Sequence, residues 1–384
     1  MKIVFNTDSL IMGGAEKLAL QYVKFLAEHF EVLLLINEDN GLEGNALLGR
    51  IPCNVKYQYV VNKKIIEKIN KYRKLKEKNI IYKLFYSYFL KKRRKSYKQN
   101  IRKILNKLDY DILIDFYCKV PADVVDKRTV SWLHSTLDNI KNKKELENKF
   151  KKIKKVIVIT ENMKSQFQSI FPEIRNIEML YNPFNIREIQ NLSYINDGIT
   201  PTEIKIIKEG YILACSRLDK NKDLKTAIYA FNSLKNQIKE KFLIIGDGPE
   251  KANLIELVKE LKLQDRILFL GTRQNPYLWM RNCKVFIHSS KQEGFGMVLV
   301  EALINECVIL ATDCPVGPRE ILDNGKYGIL TPVGDVKKME KNLLNCLNNT
   351  ALRTELKNKA EERIKIFSEE EIYKQLMKII SVCE

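Results

Sequence analysis

The segment Ser289–Glu306, SSKQEGFGMVLVEALINE, decides how the chain is read. Just before it, Val285–His288 is a short apolar run with the composition of a buried strand. Glu293-Gly294-Phe295-Gly296 then forms a glycine-containing loop. From Met297 and Val298 onward the residues are apolar on nearly every side, as in a buried helix. A strand, a glycine loop and a buried helix in that order form one arm of a β-α-β crossover. Glycines let backbone approach a ligand closely, and unpaired N–H groups at a helix start attract anions. Glu301 lies about one turn inside the helix, a carboxylate among Val300, Ala302 and Leu303. Such a group needs hydrogen-bond donors. Ligand hydroxyls would serve, and so would backbone or an arginine.

The same alternation repeats in both directions. Strands are predicted at Lys2–Phe5, Glu31–Ile36, Val55–Val60, Asp111–Asp115, Val130–Leu133, Val156–Thr160 and Glu178–Leu180. A second set follows at Tyr211–Cys215, Phe242–Ile245, Ile267–Leu270, Val285–His288, Val308–Ala311 and Ile329–Leu330. Gly13-Gly14 opens the first helix, with Leu18, Tyr22, Phe25 and Leu26 at helical spacing. Asn191–Glu209 is polar and without periodicity, contains Asp197-Gly198 and Pro201, and reads as a linker. The fold class expected is α/β, with two tandem Rossmann-like sheets facing a cleft. The first domain is placed at 1–192 and the second at 193–368, with a terminal helix over 369–384 packing back on the first. A chain of 384 residues is long enough for two separate cores.

Composition narrows the function classes. No apolar run approaches the length of a membrane span, and Met1–Asn6 reads as a strand too short for a signal peptide. Eight cysteines are scattered with no CxxC pair, and there are three histidines, so neither a disulfide framework nor a structural zinc site is expected. The net charge is +19. Lys63–Lys107 alone holds 18 Lys/Arg against two acids, a net +16, so nearly all the excess sits in one stretch.

Glu293 and Glu301 are separated by seven residues, and their segment resembles the EX7E motif of retaining GT-B glycosyltransferases, most closely family 4. Other segments agree in order. Ser216-Arg217-Leu218, with Lys222 following, is similar to the family's Arg…Lys pair. Gly246-Asp247-Gly248-Pro249 resembles its GDGP turn, and Phe269-Leu270-Gly271 its FLG turn. Asp313-Cys314-Pro315-Val316-Gly317-Pro318-Arg319-Glu320 resembles the loop before its last strand. In the first half, Gly13-Gly14-Ala15-Glu16 resembles the GGAE loop, His134 a strand-end histidine and Asn182-Pro183 the NP turn. The likeness runs from residue 1 to about 375.

The resemblance implies a nucleotide-sugar donor, UDP-linked, and transfer of a hexosyl or N-acetylhexosaminyl unit to a glycan. Arg217, Lys222 and the helix start at Gly296, Met297 and Val298 would meet the diphosphate. Glu301 would hold the ribose and Glu293 a donor-sugar hydroxyl. Gly246, Gly248, Thr272 and Arg273 would flank the base, with Gly294 and Phe295 in the donor loop. Gly13, Gly14 and His134 would face the donor or acceptor from the first domain. His134 also fits a core histidine, and His288, inside a strand, reads as structural. Asp109-Tyr110-Asp111 matches a metal-binding DxD pattern but opens a strand, so it reads as a turn, and no metal or other cofactor is expected.

The basic stretch interleaves its charges with aromatics. Lys91, Lys92, Arg93, Arg94 and Lys95, with Tyr86, Tyr88 and Phe89, suit an anionic membrane surface. A solvated helix pair, or single-stranded nucleic acid, would show the same composition. The expectation is a cytoplasmic enzyme held peripherally at the inner face of the membrane, with a lipid-linked saccharide acceptor and no nucleic-acid partner. A GT-B epimerase and a non-enzymatic nucleotide or nucleic-acid binder are the alternatives.

Overall fold

The computed structural model describes residues 1–11, 13–134, 142–196 and 198–381. Asp197 of the expected linker, and 382–384 of the expected terminal helix with Cys383, lie outside them. The chain divides into two units, Met1–Leu180 with Gln375–Glu384, and Tyr181–Lys374. The expected boundary after residue 192 therefore lies inside the second unit. In the first unit, Lys154 Nζ donates to the Ile380 carbonyl at 3.2 Å, which fastens the chain's last helical turn.

The first unit holds seven strands: β1 (Lys2–Thr7), β2 (Glu31–Glu38), β3 (Lys56–Val61), β4 (Ile112–Asp115), β5 (Thr129–Leu133), β6 (Lys155–Val158) and β7 (Ile177–Met179). All neighbours are parallel, in the order β3-β2-β1-β4-β5-β6-β7. The second unit holds β8 (Tyr211–Cys215), β9 (Lys241–Ile245), β10 (Ile267–Gly271), β11 (Val285–His288), β12 (Ile309–Thr312) and β13 (Ile329–Thr331). Their order is β10-β9-β8-β11-β12-β13, again all parallel. Every predicted strand is present, because parallel strands buried on both faces leave unbroken Val/Ile/Leu runs. In each sheet the order reverses beside the unit's first strand. That point, at the carboxyl ends of β1 and β4 and of β8 and β11, is where open α/β sheets collect ligands.

The expected linker is largely helical. Ile186–Leu192 and Pro201–Glu209 are helices. Thr200 and Glu203 form a reciprocal capping box, and Pro201 occupies the first turn, where its missing N–H costs nothing. Four fully buried rings, Phe5, Tyr22, Phe116 and Trp132, pack together in the first unit's core. Asp109 and Asp111 both meet Lys2, at 2.8 Å through its ammonium and 2.7 Å through its backbone N–H, at the amino end of the sheet. They form the expected turn, away from the ligand-binding end.

The basic stretch folds as two helices, Lys63–Leu75 and Ile80–Leu105, capped by Asn62 and Asn79. They pack through Val61, Ile66, Ile69 and Phe89, with Tyr72, Tyr86, Leu90 and Tyr97 at the margin. Two of the expected membrane contacts are thereby corrected. Phe89 is buried and stacks on Tyr72 at 5.6 Å, and Arg93 is half-buried in an ion pair with Glu38. Tyr86 is half-buried beneath the Lys76 ammonium. Lys91, Lys92, Arg94, Lys95 and Tyr88 are exposed, together with Ile80, Ile81, Leu84 and Phe85. Among the described residues no helix is long and apolar enough to cross a membrane.

One ion pair in the first unit is fully buried. Lys149 Nζ lies 2.7 Å from Asp115 Oδ2, and also donates to the Cys118 carbonyl at 3.0 Å. Asp115 further accepts from the backbone N–H groups of Lys119 and Val120 and from Ser131 Oγ. Burial opposes the lysine's charge, yet the Asp115 carboxylate holds its pKa above the usual value. The pair thus pins the loop that follows β4. Replacing Lys149 with Met strands a buried carboxylate, and should cost about 3–5 kcal/mol in the first unit's denaturation profile. The Lys149→Met/Asp115→Asn double variant should recover part of that loss. Equal stability of wild type and Lys149→Met would show that the pair carries no such constraint.

Candidate functional site

At the switch point of the second sheet, the loop after β8 meets the loop after β11. Asp219 Oδ1 accepts from the backbone N–H groups of Asn221 and Lys222, winding this loop into a short turn. Asp223 follows with φ 43° and ends the turn. Lys291 N–H donates to the Asn221 carbonyl at 2.7 Å, and Ser289 Oγ to the Lys222 carbonyl at 2.8 Å. Lys222 Nζ then lies 2.6 Å from Glu293 Oε1. His288 Nε2 reaches the same oxygen at 2.9 Å. Burial would raise the pKa of Glu293, but His288 and Lys222 together hold it down at about 2. His288, read from sequence as structural, is therefore part of this cluster.

The neighbouring helix runs over Met297–Ile304. Gly296 caps it at φ 99°, a conformation glycine adopts without strain, and no side chain caps the end. Met297 and Val298 lie in the first turn, where N–H groups have no intrahelical carbonyl to donate to. Gly317 backs the loop so closely that a Cβ there would collide with the Phe295 carbonyl oxygen. The Phe295 side chain is buried against Tyr181, Phe184 and Phe367, so it anchors the loop. Glu301 is half-buried, with Tyr277 Oη 3.5 Å from its Oε1. Burial, with the Glu301 charge, raises the Tyr277 pKa, which keeps this phenol a donor. Tyr277 was not singled out in the sequence; only the fold brings it to Glu301.

The other expected donor residues divide. Arg217 is exposed and forks onto Asp219 through Nε at 2.8 Å and an Nη at 2.7 Å, which leaves its remaining donors free of that carboxylate. Gly246 and Gly248 allow the turn after β9 to press on the loop after β8, since a Cβ on either would strike the carbonyl oxygen of Ser216 or Leu218. Gly294 lies in the loop before the helix, and Thr272 is exposed just past β10. Arg273 is tied to Glu203 of the capping box and stands over Trp279, so it joins that helix to the sheet. Among the described residues no group of three or more His, Cys, Asp or Glu is placed to hold a metal.

In the first unit, Gly13 precedes the helix Gly14–His29 and lies beneath the Glu16 carboxylate, where a Cβ would collide. Nothing lies close to a Cβ at Gly14. His134 is half-buried past β5, with its ring 4.3 Å from Phe116 and 5.5 Å from Tyr117. Burial lowers its pKa to about 4, and among the described residues Nε2 has no hydrogen-bond partner. The imidazole is thus neutral near pH 7. Asp8, Asn37, Glu38, Tyr97 and Lys119 gather nearby at the strand ends, and none was singled out as a site residue from sequence.

Residues 202–363 match the family model described as glycosyl transferases group 1. Over this stretch, less than half of the chain, the sequence is similar to that family. A Campylobacter jejuni protein is 33% identical over 219 residues, 57% of each chain. It is named N-acetylgalactosamine-N,N'-diacetylbacillosaminyl-diphospho-undecaprenol 4-alpha-N-acetylgalactosaminyltransferase. The N-acetyl-alpha-D-glucosaminyl L-malate synthase of Bacillus anthracis is 30% identical over 157 residues, 41% of each chain. The matched length is thus about half of these relatives. The structure of Anabaena HepE with UDP and glucose superposes with a TM-score of 0.73 at 20% identity, covering 99% of both chains. That likeness establishes the GT-B fold of paired Rossmann-like units.

The lowered pKa of Glu293 gives this site an acid signature. Its stabilising contribution is complete above the unfolded value of about 4.3 and is lost as pH falls toward the folded value. Glu293→Gln should therefore lower the denaturant midpoint of the second unit at neutral pH, and the gap from wild type should narrow between about pH 5 and pH 3. A gap that stays constant over this range would mean the carboxylate is not held by Lys222 and His288.

Proposed function

We propose that the protein is a retaining glycosyltransferase that moves a hexosyl or N-acetylhexosaminyl unit from a UDP-sugar to a growing, lipid-linked glycan. The observation that carries this is the cluster at the second switch point: Lys222 pinned by Glu293, Arg217 beside it and a helix start without a side-chain cap. An ammonium has three protons, and Glu293 takes one of Lys222's, leaving two for a diphosphate. As the glycosidic bond breaks, charge grows on the leaving phosphate. Fixed cations and N–H dipoles stabilise that charge without reorganising. Glu301 and Tyr277 suit a ribose edge, one accepting and one donating. The names of the two relatives, each with an N-acetylhexosaminyl group, favour an N-acetylated donor sugar.

The acceptor reading places the protein at an anionic membrane. At roughly 100° per residue, Ile80, Leu84, Tyr88, Lys91 and Lys95 share one face of the helix Ile80–Leu105. That face is apolar for two turns and then cationic, the order suited to acyl chains and lipid phosphates.

Thermal-shift screening against nucleotide sugars, followed by transfer assays, tests the activity. UDP and one UDP-sugar should stabilise the chain, and EDTA should leave turnover intact. Arg217→Ala and Lys222→Ala should each lower kcat by about 10²–10³-fold, with a smaller change in donor KM. Interconversion of the UDP-sugar without any acceptor would instead identify an epimerase. Stabilisation by no nucleotide would overturn the proposal.

Liposome flotation tests the membrane reading. Wild type should float with anionic and not neutral vesicles. Release should follow at high salt, where the Debye length falls to about 3 Å. Changing Lys91, Lys92 and Lys95 to Gln should remove roughly 3 kcal/mol of attraction. Indifference of the wild type to anionic vesicles at low salt would refute it.

A further inference from the structure

The Asn182-Pro183 turn opens the second unit just past β7. Within that unit its side chains reach the segment that starts the helix Met297–Ile304. Asn182 is almost fully buried, and its Nδ2 donates to the thioether sulfur of Met297 at 3.2 Å. Among the described residues its Oδ1 has no hydrogen-bond partner. Met297 is the first residue of the helix, so its backbone N–H is one of the groups offered at the end that no side chain caps.

The residues around Asn182 are fixed from several directions. Tyr181 Oη donates to Glu320 Oε1 at 2.8 Å, and Arg363 in turn holds the carbonyls of Glu320 and Ile321. Phe184 N–H donates to the Phe367 carbonyl at 2.8 Å, and Glu369 N–H to the Phe184 carbonyl at 3.1 Å. Pro183 lies between these anchors with its φ locked by the ring. The Tyr181 and Phe184 rings pack on Phe295, two residues before Met297. Asn182 is therefore presented to Met297 from a rigid base.

A buried amide bonded at one end is a weak choice for structure alone. Its bare carbonyl has given up water for no partner, and a thioether is a poor acceptor. A leucine would fill the same space without that penalty. The amide does what a leucine cannot, since its N–H gives the Met297 sulfur a fixed direction. A side chain held at its sulfur restrains its own backbone, and with it the aim of the Met297 N–H.

We propose that Asn182 is a positioning residue for the leaving diphosphate: through Met297 it sets the direction of the N–H groups at the helix start, at the expense of stability. The inference rests on the glycosyltransferase reading, in which those groups meet charge that grows as the glycosidic bond breaks. Misaimed donors then slow turnover more than they weaken ground-state binding, because the charge they serve is greatest in the transition state.

Asn182→Leu, Met297→Leu and the double variant test it, with kcat, UDP affinity by calorimetry and the thermal midpoint read on each. Asn182→Leu should keep or raise the midpoint, lower kcat by at least about tenfold and change the UDP Kd by less than about threefold. Met297→Leu removes the sulfur and should slow turnover in the same way. The two residues act through one contact, so the double variant should be no slower than the worse single one. Asn182→Leu that turns over like wild type, or whose kcat and midpoint fall together, overturns the assignment. So does a double variant in which the two losses multiply. Wild type that neither binds UDP nor turns over a UDP-sugar would refute the transferase reading, and this inference with it.

Discussion

Glu293 is the joint on which the second unit's site is assembled. Its Oε1 is approached by Lys222 from the loop after β8 and by His288 from the end of β11. Those strands flank the reversal in sheet order, so one carboxylate closes the opening that the topology creates. Backbone reinforces the joint. Ser289 Oγ and Lys291 N–H bind carbonyls of Lys222 and Asn221, and Thr312 Oγ1 ties β12 to the Ser290 carbonyl at 2.5 Å. With both loops fixed, the helix start at Gly296 is presented in one orientation. A candidate site of this kind is built before any ligand arrives, and the cost of ordering it falls on folding and not on binding.

The sheets were legible because their physics is local and repetitive. A strand covered on both faces must be apolar, and β8, β9 and β10 each show it in four or five consecutive residues. The segment read as a linker, which lies within the second unit, misled for a matching reason. Pro201 and its polar neighbours carry turn signals, yet the same residues start a helix when Thr200 and Glu203 close their reciprocal bonds. Turn chemistry and helix-cap chemistry use the same amino acids, and composition alone does not separate them.

The site was legible where its residues lie close together in sequence. Arg217, Lys222, Glu293 and Glu301 stand in two short segments, each beside a recognisable strand. The residues that escaped notice, Tyr277, Asn37 and Tyr97, owe their positions to packing between elements far apart in the chain. His288, read as structural, is indeed buried at the end of β11, and only the fold shows that its Nε2 lies 2.9 Å from Glu293. Phe89 and Arg93 were misassigned because net charge over a long stretch says nothing about which face of a helix looks inward. The helical period held that information: Phe89, Arg93 and Tyr97 follow one another at four-residue spacing and so share the face that Phe89 turns inward.

Lys92 and Arg93 are consecutive, yet the turn of the helix separates them. One is exposed, and the other is paired to Glu38 beneath the same helix. Neighbouring codons are thereby exposed to unrelated selection. Substitutions at positions 88, 91, 92 and 95 can follow changes in the surrounding medium with no effect on the sheet's polar end. At 93 and 97 each change must be matched by partners drawn from β2 and β1. A single helix can then diverge rapidly along one edge while the other drifts only in concert with the fold.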